Sequence, residues 1–244
     1  MIINQSNELM KTKLLSLFVL FCFPVISFAQ EVIMSGEALY NTNFSLINGS
    51  IMGAAIKAKS GTKTAAKKAT LRSLEFTRSE SLSKTIQQDY ISRLAKEQPN
   101  MKPALEKAFS GNKLRNQFDQ LLSTYNYSGT NLADAMTAYL VISWQVVHGQ
   151  EFNDRRGFDA VRKMIRENLL SGTTLNAVTD KEKQTATETF GYQAIIAMNT
   201  YKTLRNNRNK TALDQFKAAV DRSAKESGID LKGVRLTSNG FVKL

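Results

Sequence analysis

The sequence is poor in the residues that build most metal and nucleophile sites. It has 1 histidine, 1 cysteine, 1 tryptophan and 3 prolines in 244 residues. One histidine and one cysteine are too few for the usual zinc sites, and a single cysteine cannot form a disulfide within the chain. The sequence also lacks a phosphate-binding glycine loop, a serine elbow and a histidine and glutamate pair on a helix. We therefore predict no cofactor and no metal site.

The first 29 residues have the pattern of a secretory signal peptide. The positively charged stretch Met10-Lys11-Thr12-Lys13 precedes a mostly apolar run from Leu14 to Ile26. Ser27 and Ala29 are the small residues expected three and one positions before a cleavage site. We predict cleavage after Ala29 and export to the periplasm or the medium, with translation starting at Met1 or at Met10.

Positive charge is in excess, with 33 Lys+Arg against 21 Asp+Glu and a formal net charge of +12. Residues 30–78 keep no hydrophobic period, which predicts a flexible, basic, low-complexity linker. Its basic arm contains Lys57, Lys59, Lys63, Lys67, Lys68 and Arg72. Such a surface attracts polyanions. For an exported protein we expect an anionic envelope component (a lipid headgroup, lipopolysaccharide or a wall polymer) or a partner protein.

Residues 79–244 carry apolar residues at helical spacing and predict one all-α domain. We expect a compact bundle of about six to seven helices around a central buried helix over 131–148. A long helix with Asp180 as its N-cap is predicted, in which Gly191 beside Phe190 would let another helix approach closely. Short alternating runs around Asn239-Gly240 predict a small C-terminal β-hairpin.

The segment 131–148 organises this prediction because 12 of its 18 residues are apolar. That is too many for a helix with one face in water, so the helix should be surrounded by others. A membrane span needs about 20 largely uninterrupted apolar residues, and Thr137, Ser143 and Gln145 interrupt this run. Asn131 is the expected N-cap, and Gly149 is the expected residue just past the end.

The polar residues of the central helix form a stripe. Asp134, Thr137, Gln145 and His148 fall within roughly 80° of one another at helical spacing. The simpler interpretation is that the stripe is the narrow edge of the helix that meets water. The alternative is that it lines a pocket for a small polar ligand. Asp134 and His148 also suit the positive and negative ends of the helix dipole.

Two function classes follow from these features. The leading hypothesis is a non-enzymatic exported helical module that binds an envelope component or a partner protein through its positive charge. The enzymatic alternative is a peptidoglycan hydrolase with paired carboxylates, Asp134 together with Glu151 or Asp154. A small-ligand-binding periplasmic protein is the third hypothesis, and it would use the stripe.

Several sequence motifs of the helical domain are similar to those of a known protein family. They are Asn131-Leu132-Ala133-Asp134-Ala135, Tyr139, Trp144, His148-Gly149 and the opening Phe76-Thr77-Arg78-Ser79. With these residues the chain resembles, from about Glu75 to Phe241, a family of exported bacterial proteins that is known only as a domain of unknown function. Arg78 departs from the proline typical of that family. The resemblance implies an exported all-helical domain and assigns no catalytic residue.

Overall fold

A computed structural model of the chain describes residues 70–171 and 178–244. Within those residues, six helices of 12 to 27 residues, one helix of 8 residues and one two-stranded hairpin form the fold. The elements are α1 (Glu80–Glu97), α2 (Lys102–Phe109), α3 (Lys113–Thr124), α4 (Leu132–His148), α5 (Arg155–Ser171), α6 (Asp180–Asn206), α7 (Lys210–Glu226), β1 (Val234–Thr237) and β2 (Gly240–Lys243). The predicted fold class, a helical bundle with a small C-terminal hairpin, is confirmed.

Helix α4 is the buried helix that the sequence predicts over 131–148. Every residue from Leu132 to Thr137 is buried, and the helix packs against α3, α5, α6 and α7. Its ends are the expected ones. The Asn131 side chain accepts hydrogen bonds from the backbone N–H groups of Ala133 and Asp134, and Gly149 follows the last turn with a φ of 68°. None of the helices in the described residues is both long and apolar enough to cross a membrane.

Helix α6 is a second organising element, because it packs against α4 and also reaches α1, α3 and α7. Its N-cap is Thr179, one residue before the predicted Asp180, and Glu182 completes a capping box. The close approach predicted at Gly191 is made by α3. A Cβ atom at Gly191 would lie 2.6 Å from Cδ1 of Phe118, so only glycine fits without movement of that ring.

The residues just before α1, Leu71 to Arg78, pack against the helical domain. Leu74 and Phe76 are buried, although the sequence pattern assigned them to the linker. Hydrogen bonds to backbone groups of residues 75 and 76 attach this segment to the rest of the domain. Phe76 N–H donates to Thr130 O, and Lys183 Nζ of α6 donates to Glu75 O. Because these partners are distant in sequence, residues 71–78 show no local periodicity that would reveal their burial.

The C-terminal hairpin packs on the bundle. β1 and β2 pair antiparallel in a register that sets Thr237 opposite Gly240, and Leu236 is buried. β2 contacts α5, and Trp144 Nε1 of α4 donates to Val234 O at 3.0 Å. A Cβ atom at Gly157 in α5 would lie 2.4 Å from Thr237 O, so the hairpin and α5 are in close contact.

Candidate functional site

The predicted stripe begins at Asp134, which is buried in an ion-pair cluster. Arg162 binds both carboxylate oxygens, at 2.6 Å and 2.5 Å, and Arg166 donates at 3.1 Å. The backbone N–H of Ser128 also donates to Oδ2 of Asp134, at 2.9 Å. The Arg162 guanidinium also lies over the Tyr127 ring, 4.3 Å from its centroid. Asp134 therefore ties the 128–131 loop and α5 to α4, and only 1% of its surface is exposed.

The other stripe residues have separate partners. Thr137 Oγ1 donates to Ala133 O, and Gln145 Oε1 accepts from Phe152 N–H. His148 Nε2 lies 2.9 Å from Leu231 O, so this nitrogen carries the proton, and the ring stacks on Trp144. The structure does not bring Asp134, Gln145 and His148 together around one cavity. Asp134 and Thr137 are buried, so these two residues do not form a solvent-facing edge of the helix.

The carboxylates of the enzymatic hypothesis are each bound to an arginine. Glu151 pairs with Arg205 at 2.7 Å, and Asp154 pairs with Arg156 at 2.9 Å. Hydrogen bonds from Arg156 lower the pKa of Asp154, which disfavours a role as a general acid. Asp134 is buried and has no room for a substrate beside it. Over residues 70–171 and 178–244, no three His, Cys, Asp or Glu side chains are grouped as a metal site would require.

The lysines of the basic arm, Lys57, Lys59, Lys63, Lys67 and Lys68, lie outside the described residues. The backbone of Arg72 lies in a single turn of 3₁₀ helix, Leu71–Leu74, where the arm joins the domain. This turn contacts α5.

A groove runs along the part of α4 that α3 and α6 leave open. Its volume is about 130 Å³, and the wall is mostly apolar. Thr137 and Gln145 line the groove, so two of the four stripe residues reach a pocket. Residues from four other segments complete the wall, including Leu121, Tyr125, Phe152, Met198 and Tyr201. Lys202 and Arg205 of α6 stand at its rim, together with Glu151.

These two cations belong to a larger basic corner, which we define as Lys202, Arg205, Arg208 and Lys210. The corner spans the last turns of α6, the connecting loop and the first residue of α7. All four side chains are exposed, and residues 201–210 contain no carboxylate. Glu151 is the acid that pairs with one of them, Arg205. A surface of this kind has a positive potential that extends into solvent.

A second groove, of about 710 Å³, lies between α1 and the start of α6. Many of its hydroxyl and charged groups cap the first turns of α1 and α6 or form ion pairs there. Ser79 caps α1, Glu182 is bound by Thr179, and Asp180 pairs with Lys183 at 2.7 Å. These polar groups of the groove therefore have structural roles.

The sequence analysis missed a buried polar cluster around Glu188 of α6. Ser83 Oγ donates to Glu188 at 2.6 Å, and Gln184 Nε2 donates at 3.0 Å. Arg78 lies beside them, bound to both carboxylate oxygens of Asp119 and to Gly129 O. A signal was present, because Glu188 is the only charged residue from 186 to 201. Arg78, where the family resemblance expects proline, supplies this link between the chain entry and α3.

The chain was compared with known proteins, solved structures and protein families. No curated protein and no solved structure matches the chain. Residues 24–243 match the profile of a protein family described as a family of unknown function, DUF6683. The match begins well before Glu75, where the sequence resemblance was placed, and includes all of residues 30–78, the segment predicted as a linker. Since it covers most of the sequence, the chain belongs to this family of unknown function, DUF6683.

Proposed function

We propose that the protein is an exported, non-enzymatic helical module that binds an anionic envelope component. The observation that carries the proposal is the basic corner. Four exposed cations lie within nine residues of chain, Lys202 to Lys210, and Glu151 offsets one of them. Cations arranged in this way suit a surface with repeated phosphates or carboxylates, such as lipid headgroups or an acidic wall polymer.

The export signal and the basic arm support the same assignment. A chain that leaves the cytoplasm through the predicted signal peptide meets anionic lipids, lipopolysaccharide and wall polymers. The arm adds five lysines between residues 57 and 68. Each lysine or arginine close to an anionic membrane contributes roughly 1 kcal/mol, so arm and corner together give strong, salt-dependent attraction.

The buried carboxylates support a binding role over hydrolysis. Asp134 and Glu188 hold elements of the bundle together, and the exposed Glu151 and the half-buried Asp154 are paired with arginines. A glycoside hydrolase needs two carboxyl groups that face one cleft across the substrate. Asp134, the fixed member of each predicted pair, is buried under Arg162 and Arg166 and opens to no cleft.

The test is co-sedimentation of the mature protein with phosphatidylglycerol vesicles over a series of salt concentrations. We expect binding at low salt that falls steeply towards physiological salt, where the Debye length is about 8 Å. Arg208→Glu/Lys210→Glu should weaken binding at least about tenfold, given two reversed charges. Replacing the five arm lysines by glutamine tests the arm separately.

The matched control is Lys84→Glu/Lys243→Glu, which changes the net charge equally at exposed positions away from the corner. It should retain most of the binding. Equal losses for both double variants would show that net charge alone, without a defined surface, causes the attraction. Release of soluble fragments from peptidoglycan by the wild-type protein would replace the proposal with hydrolysis.

A further inference from the structure

The groove on α4 combines an apolar wall with a positive rim. Its floor is formed by Ala138, Val141 and Ile142 of α4, and aromatic side chains of Tyr125, Phe152 and Tyr201 stand around it. Tyr125 and Phe158 are in edge-to-face contact, with ring centroids 5.1 Å apart. Aromatic rings packed in this way hold the wall in place, so the groove exists before a ligand arrives.

Size limits what the groove accepts. Its volume of about 130 Å³ is close to that of a cavity that takes one benzene ring, about 150 Å³. A single ring or a short branched chain would fill the groove, whereas a long lipid acyl chain is too large to fit. The groove is partly open, so a polar substituent on the ring can reach solvent at the rim.

Charge decides the nature of that substituent. Lys202 and Arg205 contribute two positive charges at the rim, and Glu151, bound to Arg205 at 2.7 Å, contributes one negative charge. The rim thus has a net charge of about +1, which complements a monoanion. Gln145 also lines the groove; its Oε1 accepts from Phe152 N–H, and its amide NH₂ is the group that can donate to a ligand.

We propose that this groove binds a small amphipathic carboxylate, with a ring-sized apolar group against Ala138 and Val141 and the carboxylate on Lys202 and Arg205. The site goes beyond the proposed function. It shares two cations with the basic corner but needs neither Arg208, Lys210 nor the arm. A small carboxylate and an anionic surface would compete for Lys202 and Arg205, so the ligand would reduce envelope binding.

The test is an NMR titration of the ¹⁵N-labelled mature protein with 4-ethylbenzoate and, in parallel, with the neutral isostere 4-ethylbenzamide. We expect the carboxylate to bind in the millimolar range and to shift the amide resonances of Thr137, Ala138 and Val141. The affinity for the neutral amide should be lower by at least about fivefold. Equal affinities, or shifts confined to other parts of the chain, would overturn the proposal.

Variants separate the rim from the wall. Lys202→Gln should weaken carboxylate binding about threefold to fivefold and leave the amide unchanged, and Lys84→Gln should change neither. Ala138→Phe should abolish both by filling the groove. Since Lys202 is exposed, its variant does not depend on repacking, and it decides the question if Ala138→Phe fails to fold. Unchanged carboxylate affinity in Lys202→Gln would contradict the assignment.

The same variants distinguish the two proposals. Arg208→Glu/Lys210→Glu should lose vesicle binding and keep 4-ethylbenzoate binding, whereas Ala138→Phe should do the reverse. A protein that binds vesicles but not 4-ethylbenzoate refutes the groove alone. A protein that binds 4-ethylbenzoate but not vesicles refutes the envelope function alone.

Discussion

Asp134 and Arg162 form a two-point ion pair between α4 and α5, with Nε and one terminal nitrogen of the guanidinium each bound to a carboxylate oxygen. The carboxylate is buried and is also bound by Arg166. The residue that the sequence offers as the best catalytic candidate is thus part of the frame of the bundle.

Asp134→Asn should destabilise the fold by about 3 kcal/mol, because removal of one partner leaves Arg162 and Arg166 partly buried without a counter-charge. Urea unfolding followed by circular dichroism measures this. Asp154→Asn is the control, since its pair with Arg156 lies at the surface and should matter much less. A cost below about 1 kcal/mol for Asp134→Asn would show that the cluster contributes little.

Gly191→Ala should destabilise the protein by about 1–2 kcal/mol, although alanine is the better helix former. The reason is Phe118, whose ring lies 2.6 Å from the position of the added Cβ. In a Phe118→Leu background the same change should be neutral or stabilising. Chemical denaturation of the two single variants and the double variant gives the coupling, and additive effects would argue against the clash.

Acid should weaken the start of α6. A hydrogen bond from Lys183 lowers the pKa of Asp180, and the backbone N–H and hydroxyl of Thr179 lower the pKa of Glu182. Because both folded-state pKa values are depressed, the stability they provide is present above the unfolded value of about 4 and is lost as the pH falls through the lowered values.

Carboxyl NMR titrations should therefore place both pKa values below those of the unfolded chain. Asp180→Asn/Glu182→Gln should be less stable than wild type at neutral pH, and the difference should shrink as the pH approaches 3. A difference that stays constant with pH would mean that the two carboxylates act through packing and not through charge.

Local signals in the sequence were sufficient for the architecture. The predicted caps Asn131 and Gly149 define the two ends of α4. These features could be predicted because cap, turn and helix lie within a few residues of one another. The hairpin was predictable for the same reason.

The partners of the buried polar groups could not be predicted, because they come from distant parts of the chain. Asp134 meets Arg162, 28 residues later, and Ser83 meets Glu188, 105 residues later. The burial of Leu74 depends likewise on contacts with other elements. At the candidate groove, Thr137 and Gln145 of the stripe are two of the lining residues, and the rest of the wall comes from α3, the 150–153 loop and the end of α6, which the pattern of α4 does not reveal.

The most direct test of the proposed binding surface is an NMR titration of the mature protein with phosphatidylglycerol nanodiscs at low salt. Binding through the basic corner predicts that resonances of residues 201–210 broaden first, while those around Asp134 and Arg162 keep their positions. Broadening centred on α1 or on the Asp134 cluster, with residues 201–210 unaffected, would contradict the account.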